Sequence, residues 1–414
     1  MNTEITTKLN TDSETIPKNW RLLPLIEAVD FNPKRELKKG QQTKFVAMTD
    51  VQPFTKKILT YSVRDFSGGS KFKNGDTLMA RITPCLENGK TAFVDFLEKD
   101  EVAGGSTEFI VLSGKNQISD SSFVYYLTIS PTIREASIKA MTGTSGRQRV
   151  ENSKLINQMV KLPPITEQIQ IAEVLSSIDD KIKLNDQINT NLEKLAGSLF
   201  KEWFGDNSSK KWPITIIGDV VTNDKNSIVD GPFGTQMKIS EYTDHGVPVI
   251  EMGYLEGYPF YKPFKNYVSE EKYEQVKRST VRNGDLVISK TGTLGLLGIM
   301  TNLWDKAILV SRLAKITPDN QKVNRYFLFQ ILKNFQKEKY WDMQSSGSTM
   351  PIINLTHIKS AKFVLPPIEL QNKFGDMVET FYKMIHKNLL ETQNLSQIKD
   401  SLLSRLMSGN IRVN

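Results

Sequence analysis

Two long segments with the same heptad spacing are the feature of this sequence that most constrains its fold. Each opens with Leu-Pro-Pro-Ile, at residues 162–165 and again 203 residues further on, at 365–368. After each tetrapeptide, mostly apolar residues recur alternately four and three positions apart, which is the spacing of a coiled-coil seam. The pattern predicts two helices of about 50 Å, at 1.5 Å for each of about 33 residues.

The two predicted seams match position by position when the second is shifted by 203 residues. The first passes through Ile171, Leu175, Ile178, Ile182, Asn185, Asn189 and Leu192. The second passes through Phe374, Val378, Phe381, Ile385, Asn388, Thr392 and Leu395. Because a globular segment separates the helices, the seams are predicted to close on each other as an antiparallel coiled coil, with the four polar positions in one central layer. The alternative is that each helix packs on its own globular domain.

The segments that precede the two helices also repeat. A Trp-led apolar stretch at residues 20–29 has a counterpart at 212–221, and Asn-Gly-Asp at 74–76 recurs at 283–285. Short apolar runs bounded by turn residues predict strands, and one helix is predicted in each segment, at residues 122–141 and 324–342. The predicted fold is therefore an internal pseudo-twofold repeat of two α/β (α+β) domains joined by two long helices.

These patterns predict five segments along the chain. In order, they are a disordered N-terminal tail at 1–19, a first α/β domain at 20–161, a first helical region at 162–211, a second α/β domain at 212–364 and a second helical region at 365–414.

The composition is that of a globular protein, with 39% hydrophobic and 24% charged residues. No apolar run approaches the roughly 20 residues that a bilayer helix needs, and the N-terminus lacks the apolar core of a signal peptide, so a cytoplasmic protein without membrane contact is predicted. The single cysteine, Cys85, and the three histidines argue against a disulfide and against a zinc site. The formal net charge of +8 favours a nucleic-acid partner.

Signatures of catalysis are missing from the sequence. No Gly-x-x-x-x-Gly-Lys-Ser/Thr phosphate loop is present. Gly292, Gly295 and Gly298 lack the following helix and acidic partner of a dinucleotide site. Leu162 and Leu365 stand where an adenine methyltransferase has Asn or Asp before a Pro pair, so the Pro pairs are interpreted as helix starts. The chain is predicted to be non-catalytic and to bind no cofactor or metal itself.

Several loops combine small residues with cations and amides, which allows close approach to phosphates and hydrogen bonds to base edges. In the first half, the predicted DNA-binding residues are Arg81, Asn88, Lys90, Arg147, Gln148 and Arg149. In the second half, they are Thr235, Gln236, Lys238, Lys290 and Thr291. The alternative for the loop at 142–149 is a solvated loop that leads to the helix, and the charged run that contains Lys34 and Arg35 is interpreted as solvated surface.

From residue 20 onward, the arrangement resembles the specificity subunit of type I restriction-modification systems. Leu-Pro-Pro-Ile followed by a heptad helix is similar to the helical regions of that family. Residues 81–90, Arg-Ile-Thr-Pro-Cys-Leu-Glu-Asn-Gly-Lys, together with Gly-Ser-Thr-Glu-Phe at 105–109, resemble one subgroup of its target-recognition domains. Gly-Pro-Phe-Gly at 231–234 with Asn-Gly-Asp resembles another, and residues 402–413 resemble the family's ending.

The resemblance implies a non-catalytic DNA-binding subunit whose two target-recognition domains each read one half of a bipartite target, while the coiled coil sets the spacer. Two modification subunits, which bind S-adenosylmethionine, are expected to dock on the helices. Restriction subunits, which use ATP and Mg, are further expected partners. Two other functions stay open: a self-sufficient DNA adenine methyltransferase, and a coiled-coil adaptor that does not bind DNA.

Overall fold

Both heptad segments are continuous helices in the computed structural model, which describes residues 16–144, 146–205, 212–345 and 351–413. The chain forms two compact units: the first contains the described residues up to 184 and from 391, and the second contains those between 185 and 390. The predicted tail, 1–19, lies outside the described residues as far as residue 15. Within the described ranges, no helix combines the length and the apolar character that a membrane crossing requires.

The first unit contains one α/β domain. Its strands are β1 (Arg21–Pro24), β2 (Val29–Phe31), β3 (Gln42–Val46), β4 (Ser62–Asp65), β5 (Ser70–Phe72), β6 (Thr77–Ala80), β7 (Thr91–Phe93), β8 (Ala103–Gly105), β9 (Phe109–Gly114), β10 (Met141–Thr142), β11 (Arg149–Val150) and β12 (Met159–Leu162). Its helices are α1 (Leu25–Ala28), α2 (Ser121–Ile129), α3 (Pro131–Lys139), α4 (Asn152–Ile156) and the first half of α5 (Ile165–Phe204).

Two four-stranded sheets form this domain, with strand orders β2-β9-β6-β7 and β4-β3-β8-β5. All neighbouring strands in them are antiparallel except β3 and β8, which are parallel. Alternate residues of β6 face opposite sides: Met79 packs in the core with α2 and α5, whereas Leu78 packs in the core that the other sheet covers. Because both faces of this sheet are covered, β6 is an unbroken buried run rather than an alternating one.

The second unit contains the other α/β domain. Its strands are β13 (Ile214–Ile216), β14 (Ile228–Asp230), β15 (Val247–Ile250), β16 (Tyr267–Val268), β17 (Thr280–Val281), β18 (Leu286–Ser289), β19 (Leu297–Ile299), β20 (Ala307–Leu309), β21 (Leu313–Ile316) and β22 (Lys362–Val364). Its helices are α6 (Glu270–Val276), α7 (Arg325–Lys337), α8 (Tyr340–Gln344), α9 (Leu355–Ser360) and the first part of α10 (Ile368–Ser408).

The two domains share one strand order. The sheets of the second unit run β14-β21-β18-β19 and β16-β15-β20-β17, and β15 with β20 is again the parallel pair. A separate antiparallel pair leads into each long helix, β1 with β12 and β13 with β22. The predicted internal repeat of two α/β domains is therefore confirmed at the level of strand order.

The long helices pair in an antiparallel manner within each unit. In the first unit, Asp179 of α5 binds Lys399 of α10 at 2.8 Å, and Lys181 of α5 contacts Glu391 of α10 at 3.3 Å. The residue numbers rise along α5 while those of the partners fall along α10, so the helices are antiparallel. In the second unit, Asn388 Nδ2 donates to Asn189 Oδ1 at 2.8 Å, and buried Asn185 donates to the Asn388 carbonyl at 3.5 Å. The fourth residue of the predicted polar layer, Thr392, belongs to the first unit and is half-buried.

All residues of the two predicted seams are buried or half-buried, including the three asparagines. The helices are longer than the 33 residues predicted from the seams, because α5 has 40 residues and α10 has 41. The extra turns begin directly after each Pro pair, since a Pro is compatible with the first turn of a helix.

The prediction of one helix at each of 122–141 and 324–342 is wrong, because each segment is two helices. Pro131 has no N–H to continue α2, and Ser130 before it has an extended backbone with ψ 153°, so α2 ends and α3 begins there. Between α7 and α8, Lys339 takes a left-handed backbone with φ 56°, which a continuous right-handed helix does not allow.

Candidate nucleic-acid interface

Two of the predicted DNA-binding loops of the first unit lie against each other. Ile82 forms a bridge with Arg149. The Thr83 amide donates to the Gln148 carbonyl at 3.0 Å, and the Gln148 amide donates to Thr83 Oγ1 at 3.0 Å. Arg81 Nη2 donates to the Val150 carbonyl at 3.3 Å. The structure therefore brings Arg81, Gln148 and Arg149 into one surface, although more than 60 residues separate them along the chain.

The two arginines of the second loop differ in their surroundings. Arg149 donates to both carboxylate oxygens of Glu108, at 2.7–3.0 Å, in a bidentate pair. The hydrogen bond from Arg149 lowers the pKa of the Glu108 carboxyl, so the pair is fully ionised at neutral pH. Arg147 is exposed, and no hydrogen bond or ion pair of its side chain is present among the described residues. Arg147 is thus free to bind a ligand, whereas Arg149 exchanges Glu108 for any new partner.

The loop at 81–90 contributes fewer accessible groups than the sequence indicates. Lys90 is half-buried, and its Nζ donates to the Met48 carbonyl at 2.8 Å, which fixes the loop to the rest of the domain. Asn88 is exposed.

The predicted residues of the second unit also lie near one another. Lys290 binds Asp230 at 2.9 Å, and Asp230 directly precedes the loop that carries Thr235, Gln236 and Lys238. These three loop residues are exposed, and Gln236 Oε1 accepts from the Phe233 amide at 3.1 Å. Half-buried Thr291 forms a bridge with Ile352. Lys290 has a side chain only 12% exposed, so its charge is satisfied inside the protein rather than presented to solvent.

A groove in the first unit was not predicted from the sequence. It has a volume of about 590 Å³ and is lined by four cationic residues, Lys34, Arg35, Lys71 and Arg81, and by no acidic residue. Of these, only Arg81 was predicted to bind DNA, and the run with Lys34 and Arg35 was interpreted as solvated surface. The groove is formed where β2, β5, β6 and β9 begin or end, and this assembly depends on a strand order that spacing does not reveal.

The described residues contain no group of three or more His, Cys, Asp and Glu that could hold a metal ion. Cys85, the single cysteine, is a half-buried free thiol.

Comparisons with known proteins identify the two repeats. The family model described as "Type I restriction modification DNA specificity domain" matches residues 26–194 and 211–399, which is most of the chain. The MjaVIII type I restriction enzyme specificity subunit of Methanocaldococcus jannaschii is 25% identical over 412 residues, covering 96% of this chain and 94% of that protein. The HindI specificity subunit of Haemophilus influenzae is 23% identical, covering 84% of this chain and 90% of that protein.

A solved structure has the same fold. The crystal structure of the type I restriction-modification system S subunit from M. genitalium aligns with a TM-score of 0.58 and 18% sequence identity. The alignment covers 97% of this chain and 98% of that one. At this identity the likeness concerns the fold alone.

Proposed function

Because this chain belongs to the family of type I restriction modification DNA specificity domains and carries two copies of the domain, we propose that it is the subunit that selects the DNA target. Each domain reads one half of a bipartite sequence, and the paired helices set the spacer between the halves. The chain itself is not an enzyme. The proposal rests on one observation: the two domains have the same strand order but carry different residues in the corresponding loops.

Different loops on the same scaffold explain why the target would be asymmetric. The strand that ends at Ala80 is followed by Arg81, and its counterpart, which ends at Ser289, is followed by Lys290. Arg81 lies beside the Glu108–Arg149 pair, whereas Lys290 is bound to Asp230. Arginine offers a flat pair of donors that suits guanine, whereas the charge of Lys290 is already bound by Asp230, so the two surfaces present different donor patterns to DNA.

The same proposal includes the partners and the location. Two modification subunits bind the long helices and supply S-adenosylmethionine-dependent methylation of adenine. Restriction subunits, with ATP and Mg, join them to cleave DNA. The proposed location is the cytoplasm, where the DNA of a bacterial or archaeal cell lies.

Footprinting of the full chain on DNA, with and without its modification subunit, tests this function. We expect two separate protected segments flanking an unprotected spacer. Methyl transfer by the purified chain alone would favour a self-sufficient methyltransferase instead. An absence of DNA binding both alone and with the modification subunit would favour the adaptor.

Replacement of the loop arginines tests the first recognition surface. We expect Arg147→Ala to weaken binding of cognate DNA by about 1–3 kcal/mol, which is the usual value of a bidentate base contact, without lowering the thermal stability of the chain. Arg149→Ala is expected to weaken it as well, since it also leaves the Glu108 carboxylate facing the DNA without a counterion. The measurement is fluorescence anisotropy with the assembled complex.

Lys154→Ala serves as the matched control for these two variants. Lys154, on the neighbouring helix α4, is 57% exposed and forms a surface ion pair with Glu151, which directly precedes that helix, so its loss removes a nearby charge and little else. If both arginine variants bind and methylate the cognate site as the control does, the segment is a linker and does not contact bases.

A further inference from the structure

The groove of the first unit is rich in hydrogen-bond donors that have no acceptor. Arg35 Nε, Ser70 Oγ and Arg81 Nε are buried and make no hydrogen bond with any described residue. All three residues line the groove. A buried donor without a partner costs free energy, so such groups are rare in folded proteins and commonly mark a place where a ligand or ion supplies the acceptor.

Strand register allows the two repeats to be aligned residue by residue at this place. Thr77 follows Asn-Gly-Asp in the first repeat and pairs with Leu112, which pairs with Phe31. Leu286 follows Asn-Gly-Asp in the second repeat and pairs with Ile316, which pairs with Ile228. Counting two residues on from these anchors, Pro33 matches Asp230 in position along the chain, although β2 ends at Phe31 and β14 continues through Asp230.

The same shared turn aligns the other groove positions. Counting back from Asn-Gly-Asp, Gly69 corresponds to Arg278 and Ser70 corresponds to Ser279. Counting forward, Arg81 corresponds to Lys290.

In the second repeat, Asp230 supplies the acceptors that the first repeat lacks. Its carboxylate accepts from Lys290 Nζ at 2.9 Å and from Arg278 Nη2 at 2.9 Å. Its carbonyl accepts from Ser279 Oγ at 2.6 Å. Ser279 and Lys290 are the counterparts of Ser70 and Arg81, two of the residues with unpartnered donors. One residue of the chain thus fills, in the second unit, the position that stays open in the first.

We propose that the groove lined by Lys34, Arg35, Lys71 and Arg81 binds a phosphate of the DNA backbone, in the place that the Asp230 carboxylate takes in the second repeat. This assignment rests on the proposed function and deepens it. The second repeat has no equivalent phosphate site, because its own carboxylate occupies the position and binds both cations there. The two halves of the target therefore differ in how much of their binding depends on salt.

The chemistry of the groove favours a phosphate over a base edge. A phosphate offers several acceptor oxygens and a negative charge, which match three unpartnered donors and a surplus of cations. A base edge offers at most two adjacent acceptors, those of guanine. Asp76 already binds Arg35 Nη2 at 2.7 Å, and Glu108 lies near Arg81, but no acidic residue lines the groove to neutralise Lys34 or Lys71.

Gly69 is the residue that keeps the groove open. It has a φ of +126°, and a Cβ added to it would lie 2.0 Å from the carbonyl oxygen of Gly105. No side chain such as that of Arg278 fits at this position, so the first repeat cannot close the groove in the way that the second does.

A charge placed at Pro33 tests the assignment directly. Pro33→Asp inserts a carboxylate at the position along the chain that matches Asp230, and Pro33→Asn makes the same backbone change without the charge. We expect Pro33→Asp, compared with Pro33→Asn, to bind random-sequence duplex DNA more weakly and to reduce the slope of log K against log salt by about 0.9, the value for one phosphate contact. The measurement is filter binding of the full chain, alone and with its modification subunit, over a salt series.

The reciprocal change in the second repeat is expected to have the opposite sign. Asp230→Asn keeps the side-chain oxygen but removes the negative charge that Arg278 and Lys290 share, so affinity for random DNA and the salt slope are both expected to rise. Lys139→Ala, which changes an exposed lysine on α3, is expected to change neither.

The possible outcomes distinguish a failure of the proposed phosphate site from a failure of the proposed DNA-binding function. Equal slopes for Pro33→Asp and Pro33→Asn would overturn the phosphate site while the unaltered chain still binds DNA. A loss confined to cognate DNA would also overturn it, because the groove would then read bases. If the unaltered chain binds no DNA under any condition, the proposed function fails first.

Discussion

Replacement of Asp179 by alanine is expected to destabilise the first unit by about 3 kcal/mol, the lower end of the cost of removing one partner of a buried ion pair, because this pair is half-buried. Asp179 Oδ1 binds Lys399 Nζ at 2.8 Å, and their side chains are only 11% and 12% exposed. Asp179 Oδ2 accepts from the Tyr126 hydroxyl at 2.7 Å. Lys56 Nζ donates to the same hydroxyl, at 3.2 Å, and to Ser176 Oγ, at 2.8 Å. The network thus joins α2, α5 and α10 to the loop that carries Lys56.

Two half-buried cations make this carboxylate hard to replace. Burial lowers the pKa of the Lys56 ammonium, and the negative charge of Asp179 is the strongest opposing influence. Without Asp179, both Lys56 and Lys399 lose the anion that offsets their desolvation. Urea denaturation of the full chain measures the loss, and hydrogen exchange in α2 and in the last turns of α10 shows that it lies in the first unit.

Asp180 provides the matched control, since it is the next residue of the same helix and is exposed. We expect Asp180→Ala to change stability by no more than about 0.5 kcal/mol, as surface substitutions usually do. The double variant Asp179→Asn with Lys399→Met, which removes the carboxylate charge and one of its two cations, is expected to recover part of the loss. An Asp179→Ala variant as stable as Asp180→Ala would show that the network does not hold the domain to the helices.

The second repeat attaches its domain to the helices by a different chemistry. Shifting Asp179 by 203 residues leads to Tyr382, which is fully buried and packs against Tyr326 and Phe329 with ring centroids 5.9 and 6.0 Å apart. Phe204, Phe327 and Phe374 form a further aromatic cluster. The heptad register is repeated along the chain, but the contacts outside the seam are not.

The repeat and the helix pairing could be predicted because both depend on residues that recur at regular intervals along the chain. A heptad seam that extends over many turns is buried by packing against a partner helix. The common shift of 203 residues shows that the two seams match. The division of the predicted helix at 122–141 into two helices at Pro131 could also have been predicted, because a Pro inside a helical pattern commonly ends the helix. The reversal at Lys339 could not, since nothing about lysine favours a left-handed backbone.

The candidate site was only partly predictable, for a physical reason. Its loops carry recognisable combinations of small and basic residues, but their partners come from strands that are distant along the chain. Glu108 reaches Arg149 because β9 lies beside β6, and Asp230 reaches Lys290 because β14 and β18 lie on either side of β21. Sequence spacing therefore cannot show which cations are free to bind DNA and which are already neutralised by a carboxylate of the same domain.

Deletion of one matched heptad from each long helix, residues 182–188 and 385–391, is expected to shorten the preferred spacer of the DNA target by about 3 base pairs. A heptad keeps the phase of the seam, so apolar positions still face apolar positions. Each helix becomes shorter by about 10 Å, at 1.5 Å per residue. Since DNA rises about 3.4 Å per base pair, this length corresponds to about 3 base pairs. The half-site sequences are expected to stay the same, because no recognition loop is touched.

Rotation determines how much activity survives the deletion. Three base pairs also turn the duplex by about 100°, at roughly 10.5 base pairs per turn, and the supercoil of a heptad pair compensates for only part of this angle. We therefore expect lower activity together with the shifted optimum. The measurement is methylation, by the complex with its modification subunits, of targets whose spacer varies one base pair at a time. Duplication of the same two heptads is the matched control and should lengthen the optimum by about 3 base pairs. Full activity at an unchanged spacer in both variants would mean that the paired helices do not set the distance between the half-sites.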